Sequence, residues 1–82
     1  MSNSSALSSL LREIGGRVRA ARESRGFTQE EAAHAAGIDY KRWQRLEQGT
    51  VNPTVKTLDR AAQALGSSFW DLVRAKTRPQ RR

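Results

Sequence analysis

Apolar residues recur along this 82-residue chain at spacings of three and four, in five stretches separated by Gly, Ser, Thr, Asp and Pro. Such spacing places the apolar side chains on one face of a helix, whereas strands would show strict alternation. The pattern therefore predicts an all-α fold of five helices. We expect the folded domain at residues 8–74, between a flexible polar N-terminus at 1–7 and a basic flexible tail at 75–82.

Capping residues define the second and third predicted helices. Thr28, with Glu31 three residues later, forms a capping box that begins one helix, and Gly37 ends it in the left-handed conformation. Asp39 is placed to cap the next helix, which Gly49 closes. Two short helices joined by such a turn have the layout of a helix-turn-helix.

The first and fourth helices raise two further expectations. Gly15 and Gly16 are unfavourable inside a helix, so we expect a frayed first turn followed by a firmer helix to about Ser24. The fourth helix follows the N-cap Thr54, and the spacing predicts that Val55 lies on its buried face.

The charge distribution indicates a polyanionic partner. The formal net charge is +7 and the sequence pI is about 11.3, which is typical of nucleic-acid-binding chains. Residues 28–39 carry acids and no Lys or Arg, whereas residues 40–52 carry Lys41, Arg42 and Arg45 against a single acid. The predicted helix-turn-helix is therefore electrostatically polarised.

Composition also excludes several kinds of site. The chain has no cysteine and His34 is its one histidine, which rules out zinc-finger ligand sets and thiol catalysis. No cofactor, metal or small-molecule ligand is indicated, and no set of residues suggests an enzyme active site. With no apolar stretch of membrane-spanning length and no secretory signal, we expect no membrane partner and a cytoplasmic location at the nucleoid.

A helical wheel divides the third helix into two sides. Its apolar side includes Glu47, and a carboxylate that faces a core needs a cationic partner. Arg22 flanks the apolar stripe of the first helix, so we predict an Arg22–Glu47 ion pair; two separately solvated charges are the alternative. Trp43 is interpreted as a core residue, with stacking on nucleic acid as the alternative, and His34 is expected to face solvent.

The polar side of the third helix is chemically able to read DNA. Arg and Lys donate to guanine N7 and O6, and Gln pairs with adenine, although such a row can also be simply a solvated face. The position on the second helix of the motif favours the reading role. This side holds Lys41, Gln44, Arg45 and Gln48, with Arg42 at its flank.

Further residues are candidates for contact with the phosphate backbone. Gln29 begins the second helix, where backbone N–H groups favour a phosphate oxygen. Thr50 and Asn52 follow the third helix and could hydrogen-bond the same backbone. The expected phosphate contacts are Gln29, Arg42, Gln48, Thr50 and Asn52.

Three segments together resemble the Xre family, the helix-turn-helix of Cro and phage repressors. They read IGGRVRAARESRGFTQEEAA, AGIDYKRWQRLEQG and NPTVKTLDRAAQALG. Ala32 stands where the family usually has leucine, Ser67 where it usually has an aliphatic residue, and the helix before Gly15 is longer than the minimal pattern. The resemblance covers residues 14–73.

This resemblance implies a five-helix, lambda-repressor-like domain that binds double-stranded operator DNA as a homodimer. It assigns Gln29 to a phosphate and Arg22 with Glu47 to the family's ion pair. With Gln44 added from the helical wheel, the expected base contacts are Tyr40, Lys41, Gln44 and Arg45.

The resemblance also implies dimerisation through the last helix, as in restriction-modification controller proteins. Trp70 lies off the core-facing direction of that helix, and an exposed indole without a local partner suggests an interface. The expected interface residues are Phe69, Trp70, Leu72 and Val73.

A sequence-specific transcriptional regulator, more specifically a repressor, is the function favoured by the sequence. One alternative is an antitoxin-like protein-interaction module that uses DNA only for autoregulation. Another is a binder of any nucleic acid, driven by the cations of residues 74–82.

Overall fold

Five helices form the fold of residues 4–74, the part of the chain described by this computed structural model; side chains are described from residue 6 onward. The bounds are α1 Ser4–Ser24, α2 Gln29–Ala36, α3 Tyr40–Gln48, α4 Val55–Ala64 and α5 Phe69–Val73. This part of the chain has no strand, so the all-α prediction is confirmed. The expected basic tail at residues 75–82 lies outside the described residues.

The first helix is longer and more regular than predicted. It begins at Ser4, inside the segment expected to be flexible, and runs unbroken through both glycines. The predicted interruption at Gly15 is wrong because α1 crosses α3 there: an added Cβ would lie 2.6 Å from the Leu46 carbonyl oxygen. This close approach offsets the entropic cost of glycine in a helix. Gly16, in contrast, faces open space.

The helix-turn-helix has the predicted caps. The Thr28 hydroxyl accepts from the Glu31 N–H at 3.0 Å, and the Glu31 carboxylate accepts from the Thr28 N–H at 2.9 Å. Gly37 ends α2 with a φ of 69°, and the Asp39 carboxylate accepts from the Lys41 N–H at 3.1 Å. Local hydrogen bonds therefore fix the turn that sets α3 against α2.

One core lies between the helices. Trp43 of α3 is fully buried with Val18 of α1 and Ala32 of α2, which confirms its interpretation as a core residue. Leu58 of α4 also joins this core, but Val55 is 66% exposed, contrary to prediction. Val55 is the first residue of α4. A helical wheel shows which side of α4 is apolar, but it does not show whether another element covers each end of that side.

Candidate nucleic-acid interface

The two sides of α3 differ as the wheel predicted. Trp43, Leu46 and Glu47 are buried, whereas the polar side faces solvent. Its residues Tyr40, Lys41, Arg42, Arg45 and Gln48 are exposed, and Gln44 is half-buried. The three cations of this helix therefore stand on its accessible surface, where an anionic partner can reach them.

Glu47 is the polar centre of the buried side. Arg22 donates to both of its oxygens, from Nε to Oε2 at 2.5 Å and from Nη2 to Oε1 at 3.1 Å. The ion pair expected from the sequence is thus present, and it joins α1 to α3. Two further donors were not predicted: the Trp43 indole N–H at 2.6 Å and the Gln29 amide at 2.9 Å.

These contacts determine the charge state of the pair. Burial would raise the pKa of Glu47, but hydrogen bonds from Arg22, Gln29 and Trp43 outweigh it, so the pKa lies below its ordinary value. The hydrogen bond to Glu47 raises the pKa of Arg22. Both groups are therefore charged at neutral pH, and α3 is held to α1 by a fully ionised contact.

Gln29 connects this buried cluster to the outer face of α3. Its amide nitrogen donates to Glu47, and its amide oxygen lies 3.5 Å from Gln44 Nε2. Gln44 Nε2 also lies 3.3 Å from the Tyr40 hydroxyl oxygen. Two candidate base contacts are thus linked to a candidate phosphate contact, an arrangement that residue spacing within one helix could not reveal.

The candidate phosphate contacts fall into two groups. Arg42 and Asn52 line one surface pocket together with the candidate base contact Arg45. Gln29 and Gln48 line another pocket, together with Arg19, a cation that the sequence reasoning did not single out. Helix α3 thus carries polar groups along two edges.

Thr50 is less available than expected. Its hydroxyl donates to the Arg45 carbonyl oxygen at 3.4 Å, and its backbone N–H donates to the same oxygen at 3.1 Å. The side chain therefore stabilises the end of α3, and its hydroxyl would have to rotate to donate to a phosphate.

The predicted dimer residues separate into two classes. Leu72 is 1% exposed and belongs to the core, so its assignment to an interface is wrong; Phe69 and Val73 also pack partly against that core. Trp70 is 64% exposed, but it has a local partner, because its ring meets Phe69 edge-to-face at 5.1 Å between centroids. A helix of five residues buries one side against its own chain and leaves Trp70 on the other.

No helix in residues 4–74 is long and apolar enough to cross a membrane.

Comparison with known proteins places this geometry in a family. The family described as a helix-turn-helix domain matches residues 13–81. The chain is also 42% identical over 60 residues to the HTH-type transcriptional regulator y4dJ of Sinorhizobium fredii, covering 73% of this chain and 78% of that protein.

Solved structures share the arrangement of helices. The restriction-modification controller protein C.AhdI from Aeromonas hydrophila is 29% identical with a TM-score of 0.74, over 76% of this chain and 94% of that one. An HTH_3 family transcriptional regulator from Vibrio cholerae is 26% identical with a TM-score of 0.76, over 80% of this chain. This chain spans 37% of the length of the Vibrio protein.

Proposed function

This chain belongs to the helix-turn-helix family of DNA-binding transcriptional regulators, and we propose that it binds a pseudo-palindromic operator as a homodimer. In this proposal α3 enters the major groove and presents its polar side to base edges. The observation that carries it is the division of α3, whose inner side is fixed by the buried Glu47 cluster and whose outer side exposes three cations.

The proposed base contacts are on the outer face of α3. Arg45 and Lys41 donate to guanine N7 and O6, while Tyr40 and Gln44 supply the remaining polar groups. All four side chains reach the surface from a helix whose ends are capped, so the backbone that carries them is rigid. Rigid placement favours discrimination among sequences, because each donor meets a fixed position in the groove.

The proposed phosphate contacts flank that face. Arg42 and Asn52 bind the backbone on one edge of α3, and Gln29 and Gln48 bind it on the other, where Arg19 adds a positive charge. Thr50 contributes only after its hydroxyl leaves the Arg45 carbonyl. Contacts on both edges would hold α3 in register along the groove without reading sequence themselves.

Trp70 supports the proposed dimer. Its indole is largely exposed, and tryptophan is enriched among the residues that anchor protein interfaces. The dimer residues we retain are Trp70 with the accessible parts of Phe69 and Val73. To reach successive major grooves, the two α3 helices of such a dimer would have to lie about 34 Å apart, one helical turn of DNA. We propose repression as the direction of regulation, which would require the operator to overlap a promoter.

Exposed leucines favour a second candidate function, an antitoxin-like interaction module. Leu7 and Leu10 lie one helical turn apart near the start of α1, and each is 44% exposed. A stripe of this kind could hold a partner protein, with DNA binding kept for autoregulation. Stable recovery of a lone homodimer from cells that express the neighbouring genes would count against this function, and recovery of a stoichiometric complex would favour it.

Selection of bound DNA from a random-sequence pool tests the operator proposal. Near-physiological salt keeps the non-specific electrostatic term from dominating. We expect enrichment of a two-fold repeat with half-sites one helical turn apart. The same selection with a chain ending at residue 74 is the control, because the tail should change affinity and not the enriched sequence. Equal recovery of all sequences by both chains would contradict the proposal.

A further inference from the structure

The amide of Gln44 has a defined orientation. An ionised carboxylate only accepts hydrogen bonds, so the Gln29 atom 2.9 Å from Glu47 Oε1 must be the amide nitrogen. The Gln29 amide oxygen then points at Gln44, and because that oxygen also only accepts, the Gln44 atom facing it must be Nε2. The charge of Glu47 thus sets the polarity of both amides in turn.

Both hydrogens of the Gln44 amide nitrogen have partners within the protein. One is directed to Gln29 Oε1 at 3.5 Å and the other to the Tyr40 hydroxyl oxygen at 3.3 Å. Both distances exceed the usual N–H···O separation of about 2.7–3.2 Å, so these weak contacts bias the orientation of the amide rather than lock it. Among residues 4–74 no side chain or backbone group donates to the Gln44 amide oxygen, so the polar atom it keeps for another partner is an acceptor.

This arrangement changes what Gln44 can read. A free glutamine pairs with adenine at two points, accepting from N6 and donating to N7. With its amide nitrogen directed at Gln29 and Tyr40, Gln44 offers chiefly its oxygen, an acceptor, to the groove. The major-groove donors are the exocyclic amino groups, adenine N6 and cytosine N4.

We propose that Gln44 reads DNA chiefly as a hydrogen-bond acceptor for an exocyclic amino group, and that Gln29 is the positioning residue that favours this polarity. The inference rests on the proposed function, since it requires α3 to enter the major groove. It adds to that function a chemical rule for one base pair of each half-site. It also gives Gln29 a role besides phosphate contact, because the Gln29 amide is oriented by Glu47 and in turn orients the Gln44 amide.

The test uses base analogues in the DNA sequence that the protein selects. Selection with Gln44→Ala first identifies the base pair whose preference depends on Gln44. At that base pair, one duplex lacks the exocyclic amino group, with purine replacing adenine or 2-pyrimidinone replacing cytosine. A second duplex carries 7-deaza-adenine or 7-deazaguanine, which removes N7 alone.

For the wild-type protein we expect loss of the amino group to lower affinity roughly 3- to 10-fold, the effect of one hydrogen bond. Loss of N7 should change affinity less than about twofold, since no Gln44 donor faces it. For Gln44→Ala the amino group should no longer matter, which separates the contact from any effect of the analogue on base pairing.

Gln29→Met supplies the test of positioning. Methionine keeps the length of the side chain and removes the amide, so Gln44 regains a free N–H. We expect this variant to become sensitive to N7, with a loss of roughly 3-fold or more in the 7-deaza duplex. A merely structural or phosphate-binding Gln29 would lower affinity for all duplexes equally.

The outcomes separate this inference from the operator proposal. Equal losses for the amino and N7 duplexes in the wild-type protein would overturn the proposal that Gln44 acts chiefly as an acceptor. A Gln44→Ala selection identical to wild type would overturn it as well. In both cases an enriched operator would leave the operator proposal standing. Failure of any sequence to be enriched would overturn both. If Gln29→Met does not fold, as judged by circular dichroism, the wild-type duplexes decide.

Discussion

Arg22 on α1 donates two hydrogen bonds to the carboxylate of Glu47 on α3, and both residues are about 9% exposed. The contact joins the longest helix of the domain to the helix that carries the candidate base contacts. Each charge has been taken out of water, so removing either partner leaves the other buried without its counter-charge.

Arg22→Met should strongly destabilise the domain. The expected loss in free energy of unfolding is about 3–5 kcal/mol, because Glu47 would keep a buried charge without its cation. A chain of this size is stable by only about 4–12 kcal/mol, so the variant should lose a large part of the wild-type stability. Urea denaturation followed by circular dichroism measures the difference.

Arg19→Met is the matched control. Arg19 donates to Glu23 at 3.2 Å on the same helix, but both side chains are mostly exposed. Exposed pairs contribute less than about 1 kcal/mol. Equal losses for the two variants would show that burial does not set the importance of the Arg22–Glu47 pair.

Stability should fall in acid because of Glu47. Its pKa is lowered in the folded state, and an unfolded Glu titrates near about 4.3. Between these two pKa values the unfolded state binds more protons than the folded state, so the free energy of unfolding rises with pH there. The contribution of Glu47 to stability is complete above about pH 5. As pH falls through the folded-state pKa, this contribution is lost.

Glu47→Gln provides the comparison for that pH dependence. The variant should be less stable than wild type at pH 7, and the difference should narrow as pH falls from about 5 toward the folded-state pKa. Glu30→Gln, at an exposed site on α2, is the matched control for the loss of one carboxylate. A constant difference between wild type and Glu47→Gln from pH 3 to 7 would contradict a lowered Glu47 pKa.

Gly15→Ala and Gly16→Ala should have opposite effects although the residues are neighbours. At Gly15 the new methyl group would overlap backbone atoms of Leu46 and Glu47, so α1 must move away at an expected cost of about 1–3 kcal/mol. Gly16 has nothing within 4 Å, and alanine there should stabilise α1 by up to about 1 kcal/mol. Thermal unfolding of both variants checks this, and stabilisation of Gly15→Ala would show that α1 and α3 are not in close contact.

Leu72→Ala and Trp70→Ala should separate folding from association. Loss of the buried leucine should cost about 2–5 kcal/mol of unfolding free energy. Loss of the exposed indole should cost about 1 kcal/mol or less within one chain, yet it should weaken the proposed dimer. Sedimentation velocity across a concentration series measures association, and an unchanged dimer in Trp70→Ala would place the interface elsewhere.

Local chemistry explains why the helix-turn-helix was predictable from the sequence. The capping box of Thr28 and Glu31, the left-handed Gly37 and the N-cap Asp39 each depend on neighbouring residues. The Arg22–Glu47 pair could be predicted as well, because a carboxylate on an apolar face restricts its partner to a cation on the facing helix.

Other features that depend on distant parts of the chain were not predictable. Gly15 resembles a helix breaker until α3 is placed against it, and Val55 resembles a core residue until its end of α4 is found uncovered. From the spacing of apolar residues alone, Leu72 could belong either to the core or to an interface. The hydrogen-bonded link from Glu47 through Gln29 to Gln44 depends on how close the N-terminus of α2 lies to α3. The spacing of residues along the chain does not give that distance.

Arg45 is the residue through which we propose that α3 reads bases. Parallel selections from a random pool with wild-type protein and with Arg45→Ala test this role most directly. We predict that the variant loses preference at one base pair of each half-site, with about 1–3 kcal/mol less discrimination there and other positions unchanged. A uniform loss of affinity across all sequences, with the same enriched operator, would contradict this claim and reduce Arg45 to a phosphate contact.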